Sequence, residues 1–134
     1  MRRVLFVCFG NACRSQMAEA FARAYGSDVV TPGSAGLWPA SAIPQFTVEL
    51  MREKGIGMDG HFPKGLYWSV QEWDLVVNMS GMPLPRKLAP ALRKWEVEDP
   101  IALPPERHRE IRDQIEGLVR GLVEELRAGA ASLR

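Results

Sequence analysis

Apolar and polar positions alternate along the chain in a way that predicts four strands. Residues 4–7 form a continuous apolar run, and residues 75–79 form a second that is broken only by one polar position. Such runs are typical of strands buried on both faces of a sheet. Residues 29–31 predict another strand, followed by a loop over 32–36 because proline and glycine lie there. A weaker pattern predicts a short last strand at 94–97.

Three other segments carry apolar residues at helical spacing. Residues 15–25 place large apolar side chains at i, i+4 and i+8, and Gly26 follows as a suitable C-cap. Similar patterns predict a second helix over about 43–54 and a third that starts after the prolines at 104 and 105 and runs to about 127.

Strands that alternate with helices at this spacing predict βαβ units, which close right-handed into a parallel sheet covered on both faces. We therefore predict one α/β domain over residues 1–134: a three-layer α/β/α arrangement around a four-stranded parallel sheet. Ligands of such sheets bind beyond the carboxyl ends of the strands. Cys8 directly follows the first predicted strand, so a site is expected between this strand and the first helix.

The composition excludes several classes of protein. Hydrophobic residues make up 46% of the chain, charged residues 25%, and the net charge is +1, so nothing indicates a nucleic-acid or membrane partner. The apolar run at the N-terminus is too short for a signal peptide. Two cysteines and two histidines predict no disulfide framework, no metal site and no cofactor. A soluble, monomeric, cytoplasmic protein is expected.

The segment CFGNACRS, residues 8–15, joins the first strand to the first helix. Gly10 allows close approach of the backbone to a ligand, and Asn11 tolerates the left-handed conformation. A loop that curls into a helix N-terminus directs successive N–H groups inward and forms an anion cradle. Arg14 adds a planar fork for two oxygens of a phosphate-like anion.

The same surroundings favour a reactive form of Cys8. Helix N-termini and nearby cations favour the thiolate, which is the nucleophilic form of cysteine. The segment therefore predicts a nucleophile aimed at a bound oxyanion. The alternative is a structural turn, in which Cys8 is a core residue and Arg14 a solvated one.

The pattern C-x5-R-S after the first strand closely resembles the active-site loop of the low-molecular-weight protein tyrosine phosphatases and of their thiol-dependent arsenate reductase relatives. Residues 34–36 resemble the family's S-A-G loop, and Asp99 with the following proline resembles its D-P motif. His61 lies where the family has a histidine after its second helix. The resemblance covers nearly the whole chain.

The resemblance implies a phosphocysteine mechanism. Cys8 attacks phosphorus, Arg14 and the loop amides hold the equatorial oxygens, and Asp99 protonates the leaving oxygen. Glu98 is the competing candidate for the acid, and Ser15 eases departure of the thiolate. The implied phosphate-binding residues are Phe9, Gly10, Asn11, Ala12, Cys13, Arg14 and Ser15.

Further roles follow from the same resemblance. Asn11, Ser15, Ser34 and His61 are expected to form a supporting hydrogen-bond network. Cys13 either forms a reversible disulfide with Cys8 under oxidation or simply fills the loop. Phe9 and Trp38 are candidates for the walls of the pocket.

Two departures from the family pattern bear on the substrate. Phosphotyrosine phosphatases of the family commonly carry aromatic residues after D-P, whereas Ile101 and Ala102 follow here. Thioredoxin-coupled arsenate reductases use two further cysteines after the fourth strand, and residues 78–83 contain none. An internal three-thiol relay is therefore impossible.

The sequence predicts a phosphate monoester hydrolase that acts on a phosphorylated protein or a small aryl phosphate. The alternative is an arsenate reductase that uses an external thiol or redoxin, with phosphate and arsenate as the oxyanion ligands in either case. A non-catalytic module that binds phosphorylated partners is the third possibility, and Cys8, Arg14 and Asp99 argue against it.

Overall fold

A parallel four-stranded sheet organises the residues that the computed structural model describes, which are 1–68 and 71–129. The elements in chain order are β1 (Arg2–Cys8), α1 (Arg14–Gly26), β2 (Val30–Gly36), α2 (Gln45–Arg52), β3 (Leu75–Asn78), β4 (Ala91–Lys94) and α3 (Pro105–Arg127), with a short 3₁₀ helix at Arg86–Leu88. The strand order is β2-β1-β3-β4. The predicted α/β fold with a four-stranded parallel sheet is confirmed. The predicted domain boundary at residue 134 lies outside the described residues.

Strand β1 is central and is buried on both faces because its apolar run leaves no polar side. Val4, Phe6 and Cys8 point into the main core, and Leu5 and Val7 point into a smaller cluster on the other face. Cys8 pairs with Gly36 at the last position of the β1–β2 ladder. This register brings the end of β2 beside the loop that follows β1.

The two faces of the sheet are covered differently. The apolar sides of α1, α2 and α3 all pack in the main core, where Phe21, Met51 and Ile115 are fully buried. On the other face, side chains of loops and of the 3₁₀ helix pack against the smaller cluster, Trp73 and Leu88 among them. In the described part of the chain, the second outer layer is therefore built without an α-helix.

The two edge strands differ from the sequence prediction. Residues 32–36, predicted as a loop, belong to β2, because an edge strand tolerates the proline and glycine that suggested a loop. The last strand lies at Ala91–Lys94 rather than at 94–97. The prediction was shifted by the apolar residues Trp95 and Val97, which follow the strand and are buried in the main core. Among the described residues, no helix combines the length and apolar character needed to cross a membrane.

Candidate active site

Cys8 lies at the floor of a cavity at the carboxyl end of β1, where the sequence predicted a site. The cavity has a volume of about 470 Å³, and the Cys8 side chain is almost completely buried. The Cys8 sulfur lies 2.9 Å from Ser15 Oγ and 3.5 Å from the Ser15 backbone nitrogen. The start of α1 therefore directs a hydroxyl and an amide at the sulfur.

The backbone of the loop over residues 8–12 turns its carbonyl groups outward. The Cys8, Phe9 and Gly10 carbonyls accept hydrogen bonds from the backbone N–H groups of residues 37, 38 and 40, respectively, and the Asn11 carbonyl accepts one from Gln16. These peptide bonds are trans, so each following N–H points opposite to its carbonyl. The N–H groups of residues 9–12 thus lie on the inner side of the loop, an arrangement that suits an anion.

Asn11 gives the loop its shape. Its φ of 50° is left-handed, a conformation that asparagine adopts more readily than most residues. Its side chain donates to Ser15 Oγ at 2.7 Å and accepts at 2.9 Å from both Gln16 Nε2 and the Lys64 backbone N–H. Asn11 and Ser15 are therefore joined in one hydrogen-bonded chain that ends at Cys8.

Gly36, the last residue of the S-A-G motif, supports the loop from behind. A Cβ atom at this position would lie 2.8 Å from the Asn11 nitrogen and 2.9 Å from both the Gly10 carbonyl carbon and the Phe9 carbonyl oxygen. All three are backbone atoms of the cradle. A glycine at the end of β2 is what allows the two backbones to lie this close.

Arg14 is buried although it is charged. One guanidinium nitrogen donates to the Met79 and Val97 carbonyl groups at 2.5 and 3.1 Å, and the other lies 3.3 Å from Asp99 Oδ2. Because the first turn of α1 carries Arg14, these contacts hold the guanidinium beside the loop. The guanidinium is therefore held on one side by two carbonyl groups and on the other by the Asp99 carboxylate.

The structure separates the two acidic candidates. The Asp99 side chain is 47% exposed, pairs with Arg14 and lines the cavity that contains Cys8. Glu98 instead pairs with Arg107 and does not line that cavity. A hydrogen bond from the Ile101 N–H to Asp99 Oδ1 holds the carboxylate in its turn. Of the two, Asp99 alone lies beside the Cys8 cavity.

The rim of the Cys8 cavity is apolar. Phe9, Trp38 and Ile101 all line it, and Trp38 and Ile101 are 76% and 77% exposed. Phe9 and Trp38 thus lie at the cavity rim, and their role as walls of a substrate pocket stays a prediction. A second cavity of about 610 Å³ lies on the other side of Arg14 and Asp99 and is lined by residues 79–82.

Ser34 and His61 lie behind the loop rather than against Cys8. Ser34 donates to the Glu19 carboxylate and accepts from Lys64 Nζ at 3.1 Å. His61 Nδ1 lies 2.9 Å from Gln16 Oε1, so His61 reaches Asn11 only through Gln16. Hydrogen bonds join Ser34 and His61 to the loop through Glu19, Lys64 and Gln16, and the supporting role expected for them stays a prediction.

Three buried or partly buried polar residues were missed: Gln16, Glu19 and Lys64. Gln16 and Glu19, with Arg23, occupy positions i, i+3 and i+7 of α1. Polar residues at helical spacing beside a largely apolar face were a usable signal. Lys64 follows no periodic pattern and had no comparable signal.

Cys13 differs from Cys8 in its surroundings. It is partly buried and lies 3.3 Å from Thr47 Oγ1. Burial raises the pKa of Cys13, and the hydrogen bond with Thr47 only partly opposes this effect. Both cysteines are free thiols here, so the predicted Cys8–Cys13 disulfide stays a prediction. Within residues 1–68 and 71–129, no three His, Cys, Asp or Glu side chains form a group able to hold a metal ion.

A buried cysteine under an amide-lined loop, with an arginine and a carboxylate at its mouth, defines a cysteine-based oxyanion site on an α/β scaffold. The chain belongs to the low molecular weight phosphotyrosine protein phosphatase family, a family of enzymes, whose model matches residues 3–132. The predicted family is confirmed.

Named relatives include both branches of the family. The chain is 30% identical over 128 residues to the glutaredoxin arsenate reductase of Synechocystis sp., covering 92% of this chain and 97% of that protein. A solved arsenate reductase in its phosphate-binding state has a TM-score of 0.86 and 30% identity, covering 94% of this chain and 99% of that one. The low molecular weight protein tyrosine phosphatase from T. tengcongensis has a TM-score of 0.79 and 28% identity, covering 94% and 100%.

Proposed function

We propose that this protein reduces arsenate to arsenite, with Cys8 as the nucleophile and an external thiol or redoxin as the reductant. The observation that carries the proposal is the position of the Cys8 sulfur, on the inner side of a loop of N–H groups, with Arg14 and Asp99 at the cavity mouth. The arsenate reductases among its relatives favour arsenate over a phosphate ester.

In the first step the Cys8 thiolate attacks arsenic. Dihydrogen arsenate, the thiolate and one proton give a Cys8–S–AsO₃H⁻ adduct and water, and the As–O bond to the departing oxygen breaks. Asp99 supplies the proton to that oxygen. The loop amides and Arg14 stabilise the charge on the remaining oxygens.

In the second step an external thiolate attacks the Cys8 sulfur. An S–S bond forms, the S–As bond breaks and its electron pair stays on arsenic, which is thereby reduced from As(V) to As(III). The departing HAsO₃²⁻ takes up two protons and leaves as arsenite. A second thiol, such as that of a glutaredoxin, then reduces the mixed disulfide, so two thiols are oxidised for each arsenate.

The chain has only two cysteines, too few for an internal three-thiol relay, and the proposal therefore takes the reductant from outside. The segment at 79–82, beside the second cavity, offers no thiol. The name of the Synechocystis relative, a glutaredoxin arsenate reductase, agrees with an external redoxin.

Phosphate monoester hydrolysis, the function that the sequence analysis placed first, becomes the second candidate. The family model and the position of Asp99 beside Arg14 favour it. In that reaction a phosphocysteine on Cys8 is attacked by water instead of by a thiol. Ile101, which follows the D-P motif at the cavity rim, is aliphatic where phosphotyrosine phosphatases of the family commonly carry an aromatic residue, and Phe9 and Trp38 are the exposed aromatic side chains of that rim.

Two assays on the same preparation separate the candidates. We expect arsenite to form from arsenate only when glutathione and a glutaredoxin are added, and little phosphate to be released from an aryl phosphate. Cys8→Ser removes both activities. Asp99→Asn slows arsenate reduction about 10²-fold or more, as expected for loss of a general acid.

Asp113→Asn is the matched control for the acid. Asp113 is an exposed carboxylate on α3 that pairs with Arg112 and Lys54 and lines neither cavity at the active site. The Asp113→Asn variant should reduce arsenate at the rate of the unaltered protein. Rapid thiol-independent release of phosphate, without arsenite formation, would overturn the proposed reductase activity in favour of the phosphatase.

A further inference from the structure

Lys64 turns its side chain into the protein behind the oxyanion loop. The side chain is only 14% exposed. Its Nζ lies 3.1 Å from Ser34 Oγ, 3.2 Å from the Phe62 carbonyl oxygen and 3.5 Å from Asn11 Oδ1. The Glu19 carboxylate lies 3.7 Å away. A lysine is rarely this buried without partners, and four oxygen atoms supply them here.

Lys64 and Glu19 form a charged pair. Burial lowers the pKa of Lys64, and the Glu19 carboxylate opposes this effect. Burial acts to raise the pKa of Glu19, but hydrogen bonds from Ser34 and Arg23 outweigh it and keep that pKa below its ordinary value. The partners of Lys64 Nζ are four oxygen atoms, one of them on the Glu19 carboxylate, and these surroundings suit a positive charge behind the loop.

This charge faces the oxygen end of the Asn11 carboxamide. A carboxamide oxygen only accepts hydrogen bonds and its nitrogen only donates them. Asn11 Oδ1 accepts from the Lys64 backbone N–H and from Gln16 at 2.9 Å each, so Nδ2 is turned toward Ser15 Oγ at 2.7 Å. The hydroxyl of Ser15 then has its single proton available for the Cys8 sulfur at 2.9 Å.

The hydrogen bonds that run from Arg23 to Asn11 give the Asn11 carboxamide the same orientation. An arginine can only donate, so Arg23 donates to His61 Nε2 at 3.2 Å. Burial lowers the pKa of His61, which favours the neutral ring. Its proton is then on Nδ1 and is donated to Gln16 Oε1 at 2.9 Å, so the Gln16 amide nitrogen points at Asn11.

We propose that Lys64 is a positioning residue for the reaction at Cys8. Its ammonium holds the carboxamide oxygen of Asn11, and Asn11 in this orientation donates to Ser15. Ser15 in turn donates a hydrogen bond to the Cys8 sulfur. A hydrogen bond donated to the thiolate favours the ionised form. The inference rests on the proposed function only in placing the reaction at Cys8. It holds whether arsenic or phosphorus is attacked.

The test measures ionisation of Cys8 directly and needs no substrate. Alkylation by iodoacetamide is followed between about pH 5 and about pH 10, and mass spectrometry of the peptides separates Cys8 from Cys13. Lys64→Met removes the ammonium and keeps the aliphatic stem. We expect Cys8 of this variant to react about three- to tenfold more slowly near pH 6, and at the unaltered rate where the thiol is fully ionised.

Three comparisons define the control set. Lys64→Arg keeps a cation and should restore most of the original profile. Lys87→Met removes an exposed lysine of the 3₁₀ helix and should leave the profile unchanged. Lys64→Gln, a neutral residue with a shorter reach, gives the same comparison if the methionine variant does not fold. Arg14 and Asp99, which are charged groups close to Cys8, are untouched in all of these variants.

A double variant distinguishes positioning from charge neutralisation. If Lys64 only balances Glu19, then Glu19→Gln in the Lys64→Met background restores the alkylation profile, and the proposal is overturned. A profile that stays shifted in the double variant supports it. An unchanged profile in Lys64→Met, with only a lower melting temperature, shows a purely structural role and also overturns it. Failure of the arsenate assay would leave this test unaffected.

Discussion

Substitution of Gly36 by alanine tests how closely β2 supports the oxyanion loop. The added methyl group would lie 2.8 to 2.9 Å from three backbone atoms of residues 9–11, about half an ångström inside ordinary contact distance. None of these atoms belongs to a flexible side chain that can rotate away. Either β2 or the loop therefore has to move, and the loop is the element with fewer ladder hydrogen bonds.

The size of the effect follows from this displacement. A misplacement of about 1 Å at a reacting group costs about 10²-fold in rate, so a shift of about half that size lowers kcat/KM by roughly tenfold. Overpacking of a tight site costs about 1 to 3 kcal/mol of stability. Gly36→Ala should thus lose activity while most of the protein stays folded at room temperature.

The assay pairs kcat/KM for arsenate reduction with urea unfolding. Gly117→Ala is the matched control because Gly117 lies inside α3 and a Cβ there meets nothing within 4 Å. That control should keep its activity and gain about 0.5 to 1 kcal/mol of stability, the difference between alanine and glycine in a helix. Full activity in Gly36→Ala would refute the claim that β2 fixes the loop.

Two further predictions concern charged groups. Asp99→Asn should bind inorganic phosphate about two- to fivefold more tightly, because the half-exposed Asp99 carboxylate no longer competes with the anion for Arg14. The turnover rate of this variant should fall. Equal or weaker phosphate binding, measured by calorimetry, would contradict this prediction. Hydrogen bonds from Arg109 and Arg112 lower the pKa of Glu53 from 4.5 to about 2. Because the pKa is lowered in the folded state, the ionised Glu53 stabilises the protein above pH 4.5, and this stabilisation is lost as the pH falls through about 2. Glu53→Gln should therefore lower the melting temperature at neutral pH but not in acid. A difference in melting temperature that persists below pH 2 would contradict the assignment.

The parts of the site that are close together in the sequence could be predicted from it. Cys8, Arg14 and Ser15 lie within one strand–loop–helix segment, and their chemistry follows from a buried strand running into a helix N-terminus. Asp99 was selected on the D-P motif, and the structure places it against Arg14.

The hydrogen bonds that hold the loop from behind could not be predicted in the same way. Glu19, Ser34 and Lys64 come from three separate segments and meet only after β2 has paired with β1. The bounds of the edge strands were predicted wrongly for a related reason. Most of β2 is buried, but its buried positions include two glycines and a serine, and in β4 only Ala91 is buried, so the apolar pattern of both strands is weak.

Mapping the cysteines after a single turnover tests the central claim most directly. The protein is mixed with arsenate and glutathione, quenched in acid and digested, and the Cys8 and Cys13 peptides are analysed by mass spectrometry. We predict a glutathione mixed disulfide on Cys8 that appears only when arsenate is present, with Cys13 left as a thiol. Arsenite formed without any arsenate-dependent modification of Cys8, or with the modification on Cys13 alone, would contradict it.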